Sequence, residues 1–190
     1  MALLNKLVWI DIESTGLDPK RNDIIQLGFI IEIDNKIVHK EKFNLQPFDY
    51  STIEPKALET NHLTIEQIKT FEQPQVIYKK LVNILGTYVN KYDRNDKFIP
   101  CGYNVNFDIG FLREFFLKNG DKYFGSWFDY HYLDGMALVF LMRYLGKLKL
   151  ENYRLETSAK HYGIKINAHD ALSDIEATRE LILEIAKEIK

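Results

Sequence analysis

Five reactive side chains, set in three short and otherwise apolar segments, constrain this chain more than any other feature. Asp11 and Glu13 lie in LVWIDIESTGL, Asp108 lies in GYNVNFDIGFL, and His169 and Asp174 lie in NAHDALSDIEAT. Each segment reads as a strand or helix about to be buried, where an unpaired anion is costly unless a cation meets it. A divalent metal is the obvious cation. Four carboxylates without any cysteine pattern offer hard oxygen donors, which suit Mg²⁺ or Mn²⁺ rather than structural zinc. Asp11 and Glu13 are two apart on an expected strand, so both side chains leave one face and can reach one ion. Asp108 and Asp174 come from far along the chain, and the fold would have to bring them in.

The 190 residues, 46% of them hydrophobic and 13% aromatic, suit one well-packed domain spanning 1–190 and are few for two. A formal net charge of -2 argues against a broad basic surface that grips duplex DNA without sequence preference, so any nucleic-acid contact must be local. Cys101 is the one cysteine, which excludes an internal disulfide and fits a reducing cytoplasm. Within FIPCGY it reads as a buried strand thiol. No stretch reaches the ~20 apolar residues of a membrane span, and the N-terminus lacks a signal-peptide cleavage pattern. The expectation is a soluble cytoplasmic protein without a membrane partner.

Apolar runs predict three strands in the first third: LVWIDIE, DIIQLGFIIEID and KIVHKEKFNL, the last two joined by a tight hairpin at Asp34-Asn35. Helical spacing then predicts helices over 64–69 and 74–92, the second with an apolar face of Val76, Leu81, Ile84, Leu85, Tyr88 and Val89 and with Pro74 in its first turn. Residues 91–97 read as an exposed loop and FIPCGYN as a central strand. Further helices are expected over 111–118, 135–144, 152–162 and from about 170 to the C-terminus. The helix over 111–118 stops at Asn119-Gly120, and the last one carries a stripe of Leu172, Ile175, Ile182, Ile185 and Ile189. Strands followed by alternating helix and strand indicate an α/β domain with a mixed sheet.

Taken together, DIESTGL, NVNFD and HDALSD resemble the three sequence blocks of the DEDDh 3′–5′ exonucleases, a family that includes bacterial polymerase proofreading subunits, ribonuclease T and oligoribonuclease. IIQLGFI, LETNHLT and AKHYGI also resemble family positions, so the likeness covers most of the chain. It implies a ribonuclease H-like fold with a central five-stranded sheet flanked by helices. It also implies hydrolysis from a nucleic acid 3′ end that releases nucleoside 5′-monophosphates. By the same resemblance, Asp11, Glu13 and Asp174 surround one of two divalent ions, Asp108 helps to hold the second, and His169 is the general base. An unperturbed imidazole pKa of roughly 6.5 suits that last task. The resemblance assigns substrate contacts to Ser14, Thr15, Gly16, Leu17, Asn61, His62, Asn104 and Phe107. The expected partner is a single-stranded 3′ end, DNA favoured over RNA, and a DNA polymerase is a possible second partner.

Plainer roles compete for individual residues. Asp108 suits a helix N-cap, as do Asp170 and Asp134, and Leu17 and Phe107 suit a core. The stretch holding Arg143, Lys147, Lys149, Arg154, Lys160 and Lys165 is the most basic in the chain, and it reads either as a path for phosphates or as a solvated face. Two other functions compete as well. Haloacid dehalogenase-like phosphatases also place acids after a short apolar strand, but they need Asp where Glu13 stands, and they leave NVNFD and HDALSD unexplained. A catalytically idle binding module on the same fold is the other alternative, and five intact reactive residues argue against it.

Overall fold

The computed structural model describes residues 6–167 and 170–189. Strands β1 (Lys6–Ser14), β2 (Ile24–Ile33) and β3 (Lys36–Asn44) form an antiparallel meander, and β4 (Ile99–Gly102) and β5 (Leu133–Asp134) extend it in parallel. The sheet order is β3-β2-β1-β4-β5, which puts the strand bearing Asp11 and Glu13 at the centre. Asp34 and Asn35 both take positive φ, 50° and 63°, as a tight right-twisting hairpin requires. The helices are α1 (Pro55–Asn61), α2 (Ile65–Ile68), α3 (Pro74–Tyr88), α4 (Val105–Lys118), α5 (Gly135–Tyr144), α6 (Leu155–His161) and α7 (Ala171–Ile189). The expected mixed five-stranded sheet flanked by helices is what the chain forms. Among the described residues, no helix is long and apolar enough to cross a membrane.

The two-residue period of β1 divides its side chains between two cores. Val8, Ile10 and Ile12 pack with Leu27, Phe29 and Ile31 of β2 and with Leu81, Phe111 and Phe115 of α3 and α4. Trp9 points the other way and meets Ile30, Cys101, and Ile175 and Ile182 of α7. Asp11 and Glu13 continue the Trp9 side, so they emerge toward α7.

Three contacts fix α7 against this face. Gly28 lies opposite Asp11 in the strand register, and a Cβ there would meet the backbone carbon of Ala171 at 3.0 Å and its Cβ at 3.1 Å. Gln26, opposite Glu13, accepts a hydrogen bond from the Ala171 amide at 3.1 Å and so satisfies a free helix N-terminal donor. Two turns along, the Arg179 guanidinium donates to buried Glu32 at 2.8 and 3.2 Å, and Trp9 Nε1 donates to the same carboxylate at 2.9 Å. Burial alone would push the Glu32 carboxyl up, but bonds from Arg179 and Trp9 outweigh it and hold the group below its ordinary value. The result is a helix set in both height and rotation.

Several elements differ from the sequence expectation. α4 begins at Val105, six residues before the expected start, because Asn104 turns the chain in the left-handed region at φ 59°. Asp108 therefore sits inside a first helical turn. α3 ends at Tyr88, and it buries Pro74, Ile77, Leu81 and Leu85 while Val76 faces solvent. α6 starts at Leu155 because the Asn152 side chain accepts from the Arg154 amide and the Thr157 hydroxyl ahead of it. α7 buries Leu181, which the expected stripe omits, and exposes Ile189. Gly28→Val should destabilise the protein by about 1–3 kcal/mol in chemical denaturation, since the added atoms force α7 off the sheet. A stability equal to that of the parent would show that α7 does not depend on this close approach.

Candidate metal centre

β1 carries Asp11 and Glu13 to the sheet face that α7 covers, and Asp174 reaches the same place from the first turn of α7. One carboxylate oxygen from each of the three lies within 4.8 Å of the others. Asp108 approaches from α4. β4 pairs with β1 only at Leu7, Val8 and Trp9, and farther along β1 the Ile12 amide donates at 3.0 Å to Asp108 Oδ1. That bond places a fourth carboxylate, only 4% exposed, beside the backbone between Asp11 and Glu13. His169 lies outside the described residues.

The electrostatics follow from this crowding. Burial, with Asp108, Asp174 and Glu13 nearby, drives the Asp11 carboxyl well above its ordinary value. Burial also raises Asp108, against the opposing bond from the Ile12 amide. Burial and the Asp174 and Asp170 charges lift Glu13 to about 7. Asp170 differs: burial favours its neutral form, but Lys42 at 2.5 Å and the Ser173 amide at 3.1 Å outweigh this and hold it low. It accepts from that amide as the N-cap of α7. Among the described residues, Asp11 and Glu13 have no Lys or Arg partner. Three hard oxygen donors converging within 4.8 Å fit a divalent ion of the Mg²⁺ or Mn²⁺ kind.

A cleft of about 250 Å³ opens beside Glu13, lined by Ser14, Gly16, Leu17, Asn61 and Phe107 together with Glu54, Lys56, Ala57 and Thr60. Leu17 is 79% exposed at its rim, and Phe107 packs on Phe111 with ring centroids 4.9 Å apart. Asn61 Nδ2 donates to the Ser14 carbonyl at 3.0 Å and closes α1 onto the end of β1. Thr15 is enclosed. Its amide donates to the Asp23 carbonyl, its hydroxyl accepts from the Asp23 amide, and its carbonyl accepts from the Glu54 amide. These bonds fold the segment and engage both the amide and the carbonyl of Thr15 within the protein. His62 ends α1 in the left-handed region, and the Asn104 amide donates to Asp134 Oδ1 at 2.9 Å. Asp134 also accepts from the Met136 amide at 2.9 Å, so it is the N-cap of α5. A larger hollow of about 570 Å³ lies at the other end of β1, but its one carboxylate, Asp96, is already paired with Lys6.

Gln26, Gly28 and Lys42 have no role in a reading of the sequence alone, although Gln26 and Gly28 interrupt an apolar strand at the two positions that oppose Glu13 and Asp11. That interruption is the signal that marks them.

A sequence profile described as Exonuclease matches residues 8–182. The chain belongs to this exonuclease family. The DEDDh-type resemblance of its three acidic blocks agrees with that assignment. The exonuclease chain is 28% identical over 184 residues to a PolC-type DNA polymerase III of Thermotoga petrophila, covering 96% of this chain and 12% of the polymerase. It is 27% identical over 177 residues to an oligoribonuclease of Coxiella burnetii, covering 90% of this chain and 87% of that one. Among solved structures, a zinc-bound complex of E. coli exonuclease I with single-stranded DNA superposes with a TM-score of 0.81 at 20% identity, over 99% of this chain and 41% of that one. The chain thus spans a small part of the polymerase and under half of exonuclease I.

Protons and metal should compete at this centre. Because the folded metal-free protein holds Glu13 at about 7, above the ordinary glutamate value, its ionisation costs stability as pH rises from about 4.5 to 7. In chelator, Glu13→Gln should therefore melt higher than the parent at pH ~8, with the difference vanishing below pH ~4.5. Mn²⁺ affinity of the parent, measured by calorimetry, should weaken as pH falls through 7, with protons released on binding. A pH-independent affinity would contradict this account.

Proposed function

We propose that the chain is a metal-dependent exonuclease that hydrolyses phosphodiester bonds from the 3′ end of single-stranded DNA and releases nucleoside 5′-monophosphates. The convergence of Asp11, Glu13 and Asp174 within 4.8 Å beside an open cleft is the observation that carries this reading. Asp11, Glu13 and Asp174 would hold a divalent ion, with Asp108 adding negative charge for a second. When bound, such ions supply positive charge against the phosphodiester and against the charge that builds up during in-line displacement.

The protein's own groups do the rest. The cleft takes the terminal nucleotide, with the exposed Leu17 and the Phe107 ring as apolar surfaces for a base, a mode of contact that tolerates any sequence. Asn61 and the Thr15 bonds keep that wall rigid next to the carboxylates. His169, five residues before Asp174 in the sequence, serves as the general base that accepts the proton of the attacking water. All of these groups lie within residues 11–174, which supports reading the 190 residues as one exonuclease domain.

RNA trimming is the second reading. The oligoribonuclease favours it, since that relative is matched over 87% of its own length whereas the polymerase is matched over 12%. Matched 5′-labelled DNA and RNA single strands, digested with Mg²⁺ or Mn²⁺, test both. Stepwise shortening should be abolished by chelator and reduced at least a hundredfold in Asp11→Asn and in His169→Ala, and the faster strand identifies the sugar. If neither strand shortens with either metal, an idle binding module becomes the better description.

A further inference from the structure

Residues 140–165 hold six Lys and Arg against two Glu, in a chain whose net charge is -2. All six cations are exposed, and among the described residues none is ion-paired with a carboxylate. Aromatic rings lie between them. Phe140 stacks on Tyr153 with centroids 4.7 Å apart and an interplanar angle of 26°, and the Arg143 guanidinium lies 5.0 Å from the same ring. Phe140 is 45% and Tyr144 86% exposed, one helical turn apart on the outer side of α5.

This face is joined to the metal centre. Tyr103 directly follows β4, level with Asp11 in the parallel register, and its hydroxyl donates to the Tyr153 carbonyl at 2.6 Å and pairs with Ser158 Oγ at 3.0 Å. The cleft is lined by α1, by the residues that end and follow β1 and by Phe107 of α4, with no residue of α7, whereas Asp174 comes from the first turn of α7. A strand whose last nucleotide fills the cleft and whose scissile bond lies at the carboxylates reaches α6 and α5 by way of Tyr103, which is level with Asp11 and bonded to Tyr153 and Ser158. There, exposed cations spaced among planar rings match the alternation of phosphates and bases along a single strand. An acidic protein segment would meet the cations but leave the rings unexplained.

We propose that this face binds the single strand on the 5′ side of the scissile bond. Arg143, Lys149 and Arg154 contact phosphates, and Phe140 and Tyr144 act as stacking platforms. The strand's direction rests on the exonuclease reading, but the binding itself does not. Fluorescence anisotropy in chelator, where hydrolysis cannot proceed, therefore tests the face whether or not the enzyme reading holds. The ligands are labelled oligothymidylates and oligouridylates of about four and about sixteen nucleotides, the range that such surfaces cover.

Lengthening the strand should tighten binding at least tenfold, and the series that shows the gain identifies the sugar. Combining Arg143→Gln, Lys149→Gln and Arg154→Gln should abolish the gain and flatten the salt dependence by about two in log–log slope, near the ~0.7 expected per phosphate contact. Lys149→Gln with Arg154→Gln alone, which spares the Arg143–Tyr153 contact, should lose about half of both. Tyr144→Ala should cut the gain without changing the slope. Absence of a length gain in both series overturns the proposal, as does an unchanged slope in the triple variant. Equally effective displacement by polyglutamate of matched charge also overturns it.

Discussion

The approach of the α7 N-terminus to β2 at Gly28 determines the rest of the site. β1 alone delivers two carboxylates to one face of the sheet, and nothing in a strand can supply the third. Asp174 arrives only because the first turn of α7 lies against the sheet, at a separation that leaves no room for a Cβ on Gly28. The hydrogen bond from the Ala171 amide to Gln26 fixes the end of the helix, and the Glu32–Arg179–Trp9 cluster fixes its rotation. Glycine in a central strand lowers strand propensity, and a buried ion pair carries a desolvation cost. Both features make sense as devices that hold a helix against a particular stretch of strand.

What they assemble is unfavourable in itself. Buried carboxylates raise one another toward the neutral form, and the packing on either side of the sheet, with the Ile12–Asp108 and Ala171–Gln26 hydrogen bonds, keeps them together. Ordinary stabilising changes would remove the acids, so the arrangement exchanges stability for a strong local affinity for a cation. Lys42 neutralises Asp170 rather than the central group, and the Asp23–Lys118 pair likewise serves the loop after β1. Among the described residues no Lys or Arg pairs with Asp11 or Glu13, and a bound cation would supply charge that offsets them.

The sequence exposes the chemistry of this site more fully than its geometry. β1, β2, β3 and the Asp34-Asn35 hairpin are legible because apolar periodicity and turn chemistry agree there. α1 escapes a reading by hydrophobic pattern because none of its seven residues is buried, and β5 escapes because it has only two residues. The start of α4 is hidden for a different reason. Asn104, Asn106 and Gly110 look like loop residues, and it is tertiary contact, with Val105 and Phe111 in the core and Asp108 on the Ile12 amide, that makes the segment helical. The acids themselves stand out as charges in apolar runs. Their convergence depends on Gly28 and Gln26, whose meaning appears only when a helix from the far end of the chain is laid across them.

Diffraction from crystals soaked in Mn²⁺, read through the anomalous signal of the metal, tests the central claim most directly. The account predicts a peak enclosed by Asp11, Glu13 and Asp174 that is lost in Asp174→Asn. A peak that forms elsewhere, or none among these three carboxylates, would contradict it.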